Sequence, residues 1–217
     1  MMNPIRRRFL QWTAPIHGML RAKKVDILMG MLAAAPASSL LDVGGGAGLT
    51  GEFLRLYAAF RNVTIVNVVM PPQLTSFEMK PRPDVVLGDG CCLPFRSKSY
   101  DWVFSNAVIE HVGGAERQKQ FAGEIRRVAK KGYFVTTPNK YFPIEPHSYL
   151  PFYQFLPESA QRKVIRLAPA WVHDFASSKE IDLLTPRQFR ELFPEAKIEK
   201  VGLPGAPNSL IAAYRAA

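Results

Sequence analysis

Two short stretches of the 217-residue chain combine residue types and spacing suited to chemistry. The first, Asp42-Val43-Gly44-Gly45-Gly46-Ala47-Gly48, sets a carboxylate two positions before a run of glycines. Backbone N–H groups in such a turn are unobstructed, so a ligand can lie against bare main chain. Gly46, Gly48 and Gly51 also satisfy the dinucleotide spacing G-x-G-x-x-G. Asp42 separates the two readings, because its charge repels a pyrophosphate and attracts an ammonium or a sulfonium. The second stretch runs from Thr137 to His147 and carries Glu145 and His147 in a proline-stiffened loop. His147 has the titration range of a general base, and Glu145 is placed to orient it or to bind a cation. His111 is a third, weaker candidate.

The elements that position these residues follow from apolar periodicity. Leu40–Val43, Val63–Val69, Asp84–Leu87, Tyr100–Ser105 and Tyr133–Thr136 read as five strands. Helices are expected at 17–35, 50–60 and 115–129. Thr185-Pro186 reads as an N-cap with proline in the first turn of a helix through Phe193. Lys197–Val201 and Ser209–Tyr214 supply two last strands. Strands alternating with helices predict an α/β fold: a Rossmann-like, doubly wound, mostly parallel sheet with an antiparallel last strand and helices on both faces. Ligands of such sheets bind beyond the carboxyl ends of the strands, where both stretches lie. Residues 1–217 read as one domain, with a helical extension over 1–36 and a proline- and aromatic-rich insertion or lid over 138–180.

With the glycine turn, two further segments carry a family resemblance. Gly88-Asp89-Gly90-Cys91-Cys92-Leu93-Pro94-Phe95 follows the third strand, and Ser99-Tyr100-Asp101-Trp102-Val103-Phe104-Ser105-Asn106-Ala107-Val108-Ile109-Glu110-His111-Val112 spans the fourth. In order and spacing the three resemble class I S-adenosyl-L-methionine-dependent methyltransferases of the type 11 branch. The loop Thr137-Pro138-Asn139-Lys140-Tyr141-Phe142-Pro143-Ile144-Glu145-Pro146-His147 is similar to one in a bacterial subset of that branch. The resemblance implies cofactor contacts at Asp42, Gly44, Gly45, Gly46 and Gly48. It also implies that Asp89 accepts from the adenine amino group, that Gly90 and Cys91 lie against the ring, and that Asn106 meets the ammonium. Leu93 and Phe95 are expected to cover the adenine. The family's ribose-binding acid at the end of strand two falls here on Val69 or Met70, with Asn67 the nearest polar substitute. Loss of such a charge-assisted bond costs about 1.5–3 kcal/mol.

Composition narrows the partners. The chain is 47% hydrophobic with no apolar run long enough to cross a bilayer. Its only cysteines, Cys91 and Cys92, are neighbours, as expected of a reducing cytoplasm. A formal charge of +10 favours anionic partners, including peripheral contact with an anionic membrane through basic faces. The leading expectation is methyl transfer from S-adenosylmethionine to an oxygen of a small-molecule or lipid-linked acceptor, and no metal is expected. A methyltransferase fold serving as a scaffold without turnover is one alternative, suggested by Val69 and Met70. RNA methylation is another, suggested by charge but opposed by Ser105-Asn106-Ala107-Val108 where base methylation commonly uses an N/D-P-P-Y/F segment.

Overall fold

In a computed structural model of the chain, residues 4–32, 38–45, 53–70, 82–167, 181–203 and 205–216 are described. Gly46, Gly48 and Gly51 of the glycine run, and Pro71 to Pro81, lie outside them. A seven-stranded sheet has the order β3-β2-β1-β4-β5-β7-β6. Its strands are β1 (Ser39–Val43), β2 (Asn62–Asn67), β3 (Asp84–Leu87), β4 (Tyr100–Asn106), β5 (Ala129–Pro138), β6 (Lys197–Leu203) and β7 (Ala206–Arg215). The first five pair in parallel. β7 runs antiparallel to both β5 and β6, which is the expected mostly parallel sheet with an antiparallel closing strand.

Successive strand residues face opposite sides, so each strand feeds two cores. Leu40, Ile65, Trp102, Phe104 and Phe134 pack with Leu20, Val25 and Leu28 of helix α1 (Pro4–Leu32) and with Phe53, Leu56 and Tyr57 of α2 (Phe53–Ala58). On the other face Leu41, Val43, Val103 and Val135 meet Phe121, Ile125 and Val128 of α3 (Gly114–Val128) and Phe189 of α5 (Pro186–Leu192). The expected cap of α5 is present: the Thr185 hydroxyl accepts from Gln188 N, and the Gln188 side chain returns a bond to the Thr185 backbone.

Three elements depart from the sequence reading. α1 begins at Pro4 rather than near His17 and runs through Pro15, which removes one intrahelical bond. The insertion contains a regular helix, α4 (Glu158–Leu167), whose first turn is supported by an Arg162–Glu158 ion pair at 3.2 Å. β2 stops at Asn67, because pairing with β3 ends at Asn67↔Leu87, although the apolar run continues to Val69. Val68, Val69 and Met70 are exposed.

Gly132 of β5 leaves no space for a side chain: a Cβ there would contact the Tyr214 carbonyl and stand 2.6 Å from the Trp102 ring. Gly132→Ala is therefore expected to lower unfolding free energy by about 1–3 kcal/mol, measured as a lower denaturant midpoint at unchanged m-value.

Candidate active site

The turn after β1 is held by its neighbours before any ligand arrives. Gly44 has φ +80°, in the left-handed region that glycine adopts without strain. Its N–H donates to Val66 O at 2.7 Å, fixing the turn to β2. A Cβ on Gly44 would enter the Val108 side chain, and one on Gly45 would lie 2.6 Å from Asp42 Oδ2. The cradle is thus pressed between the loop after β4 and the Asp42 carboxylate. Asn67 closes its side, donating from Nδ2 to Gly45 O at 3.0 Å.

Asp42 shares a face with Leu40, which turns its side chain under α2 rather than past the strand end. There it is buried, and Oδ2 accepts from the Tyr57 hydroxyl. Burial pushes its pKa up to about 7, against the lowering effect of the Tyr57 bond. The expected anion beside the cofactor therefore lies one layer deeper, beneath Gly45. Tyr57 had no sequence signal, being one apolar-face position of α2.

The turn after β3 is also internally committed. Asp89 Oδ1 accepts from Cys91 N at 2.9 Å, and Oδ2 from the Arg117 guanidinium at 2.6 Å. The Cys91 bond, followed by Arg117, holds the Asp89 carboxyl below its ordinary range. Cys91 N–H is used in that bond and its thiol donates to Arg117 O at 3.3 Å. Gly90 is packed so tightly that a Cβ would stand 2.6 Å from Phe121. Leu93 is buried in the α3-side core, and half-buried Phe95 stands edge-on to Tyr100, at 5.0 Å between centroids.

At the end of β4, Asn106 Oδ1 accepts from the Thr136 hydroxyl at 2.7 Å. Ala107 follows at φ +55°, a conformation unfavourable for alanine, with its N–H bonded to Thr136 O at 3.0 Å. This bend leads into a single 3₁₀ turn, Ile109–His111. Glu110, which the sequence reading passed over, is fully buried there. Its Oε2 accepts from the Thr137 hydroxyl at 3.0 Å, while Oε1 has no hydrogen-bond partner. Burial pushes the Glu110 pKa up to about 7, and half-buried Lys24 of α1, itself pushed down to about 8 by burial, is coupled to it electrostatically.

The loop after β5 brings His147 to this turn. Asn139 anchors the loop to the last hairpin, with N donating to Asn208 O at 2.9 Å and Nδ2 to Pro207 O at 2.8 Å. Buried Glu145 organises the rest: Oε1 contacts His147 Nδ1 at 2.7 Å, and Oε2 accepts from His147 N at 3.1 Å and from Ser148 N. Burial alone would raise the Glu145 pKa, but the His147 and Ser148 bonds outweigh it and hold the carboxyl below its ordinary range. The His147 and His111 rings meet edge to face at 4.9 Å between centroids. Burial, then the His147 charge, holds His111 below the usual imidazole range. The structure therefore gathers His111, Glu145 and His147 and adds Glu110 and Thr137.

Residues 41–136 match the family model described as a methyltransferase domain, type 11. A biotin biosynthesis bifunctional protein BioHC of Cellvibrio japonicus is 30% identical over 120 residues, 54% of this chain, and that match spans 22% of the relative's length. The fold is similar to magnesium protoporphyrin IX methyltransferase from Synechocystis, solved with bound S-adenosylhomocysteine (TM-score 0.57, 16% identity, 91% of this chain and 84% of that one). It is also similar to the Burkholderia thailandensis 1,6-didemethyltoxoflavin-N1-methyltransferase, solved with 1,6-didemethyltoxoflavin and S-adenosylhomocysteine (TM-score 0.57, 16% identity, 97% and 86%). Residues 41–136 are thus similar to a methyltransferase domain, and the solved methyltransferases share the fold. Among the described residues, no helix is long and apolar enough to cross a membrane.

Folded Asp42 keeps its proton to about pH 7, whereas the unfolded chain releases it near the ordinary 3.8. Folding takes up that proton, so this contribution is complete below about pH 4 and is lost as pH rises towards 7. Asp42→Asn should flatten the fall in denaturant-measured stability across that window. Tyr57→Phe, by removing the bond that favours the charged form, should move the fall to higher pH.

Proposed function

We propose that this protein methylates an oxygen of a small-molecule or lipid-linked acceptor, using the glycine turn to hold the cofactor and His147 to take the acceptor's proton. The observation carrying this is the packing of His147, held by Glu145, against His111 of the turn after β4, the turn whose Val108 abuts Gly44. The residues present suit the cofactor: Gly44 and Gly45 offer main chain where any Cβ would collide, and Asn67, Asp89 and Asn106 stand at the ends of β2, β3 and β4. When bound, S-adenosylmethionine supplies an electrophilic methyl group on sulfur.

Asn67, not Val69, is the residue at the end of β2. Its Nδ2 is spent on Gly45 O, and its Oδ1, with no partner among the described residues, is the acceptor left for a ribose hydroxyl. Asp89 keeps lone pairs for an adenine amine despite Arg117. On the acceptor side, His147 Nδ1 is turned to Glu145, and a proton held there leaves Nε2 as the ring's acceptor. Exposed Tyr141, Ile144, Phe152 and Phe155 of the 138–180 insertion provide an apolar wall for the acceptor, with Lys140, Arg162 and Arg166 nearby in sequence for an anionic lipid surface. Free Cys91 and Cys92 suit a reducing compartment. The scaffold reading keeps one specific support, the amide in place of an acid at Asn67. Heat on titration with S-adenosylhomocysteine at high micromolar concentration decides against it, and none decides for it.

His147→Ala should leave S-adenosylhomocysteine affinity within about twofold and cut kcat by roughly 100-fold or more, measured by calorimetry and single-turnover methyl transfer to a model phenol or carboxylate set. Asn67→Ala should do the reverse, weakening the nucleoside by about tenfold while kcat at saturation is retained.

A further inference from the structure

The histidine cluster holds more than a base requires. Glu110, His111 and His147 each present one donor atom, and the three atoms lie within 4.8 Å of one another. Glu110 Oε1 is 3.9 Å from His111 Nε2. That oxygen is fully buried without a hydrogen-bond partner, although Oε2 of the same carboxylate is bound by Thr137. An unpartnered buried carboxylate oxygen facing two imidazoles is costly unless it takes up a proton or a cation. Lys24 feels its charge, but no ion pair or hydrogen bond joins them, so it does not fill that role.

We infer that Glu110, His111 and His147 bind a divalent first-row transition-metal ion at the acceptor side of the site. Two imidazoles and one carboxylate form a facial N2O set that suits zinc, cobalt, iron or manganese better than the all-oxygen preference of magnesium. His147 Nδ1 is held by Glu145 at 2.7 Å, the outer-shell carboxylate that fixes ring orientation and raises the basicity of the ligating nitrogen. Bonds of about 2.0–2.2 Å at facial or tetrahedral angles put two donors on one ion roughly 3.0–3.5 Å apart. Side-chain rotation must therefore draw a pair standing as far apart as 4.8 Å together by roughly 1.3–1.8 Å to close the set. Three protein ligands leave open positions, and an acceptor hydroxyl taking one of them loses its proton to water more readily.

The ion's role rests on the oxygen-acceptor part of the reading above alone: as a ligand His147 does not take the proton, which passes from the bound hydroxyl to water. Binding of the ion does not rest on that reading and is measured without cofactor or acceptor. Full-length protein freed of metal by chelator dialysis is titrated with Co²⁺, followed by visible absorption and calorimetry, and then with Zn²⁺ in competition. The expected result is one Co²⁺ per chain with ligand-field bands, displaced by Zn²⁺ and not by Mg²⁺. His111→Ala and His147→Ala should each weaken binding by at least 100-fold, and Glu145→Gln, confirmed folded by circular dichroism, by roughly 10- to 100-fold. Cys92→Ser should leave it unchanged. Absence of binding below about 100 µM, or binding unaltered in a His111→Ala/His147→Ala double variant, overturns the inference. Metal bound as expected without methyl transfer to any oxygen acceptor would overturn the acceptor reading and leave the metal site standing.

Discussion

The contact between the Val108 side chain and the bare α-carbon of Gly44 fixes the relation of the two halves of the site. One partner ends β1 and the other opens the turn that carries Glu110 and His111. Any side chain at Gly44 separates them, and its backbone conformation disfavours one independently. The glycine turn and the turn bearing Glu110 and His111 are therefore set by one van der Waals boundary. The strained bend at Ala107 is the local cost of bringing β4 to that boundary.

Charge is handled differently on the two sides. Asp42 and Glu110 are both buried carboxylates pushed towards neutrality. Asp42 has a hydroxyl donor against it and lies under the cradle floor. Glu110 has one oxygen satisfied and one bare. Glu145, nearly as buried, stays ionised because its imidazole and N–H donors outweigh desolvation. Three acids at similar depth thus differ through their donors: Glu145 is bonded to His147, while Glu110 keeps one bare oxygen.

The sheet was legible because its strands are short apolar runs ending in glycine, proline or asparagine, and burial on both faces imposes that pattern. The glycine turn and the Glu145-x-His147 pair were legible because each lies within one local segment. Glu110 was not, since its burial depends on Thr137 from β5 and on coverage from other elements, and nothing local distinguishes it from a surface acid. Val69 was misplaced because hydropathy continues past Asn67 where the neighbouring strand does not. Pairing ended β2, and pairing is invisible in one sequence. The bonds that Asp89 and Cys91 make to Arg117 depend on the docking of α3, whereas the bond between Asp89 and Cys91 N is local.

Asn139 is stitched by two bonds to the final hairpin at Pro207 and Asn208. The segment bearing His147 is consequently suspended from the sheet's antiparallel margin as well as from β5. Lengthening or shortening the bend between β6 and β7 would tilt that suspension while sparing the glycine cradle. On the proposed assignment, the placement of His147 can therefore change without the glycine turn, through residues remote from both.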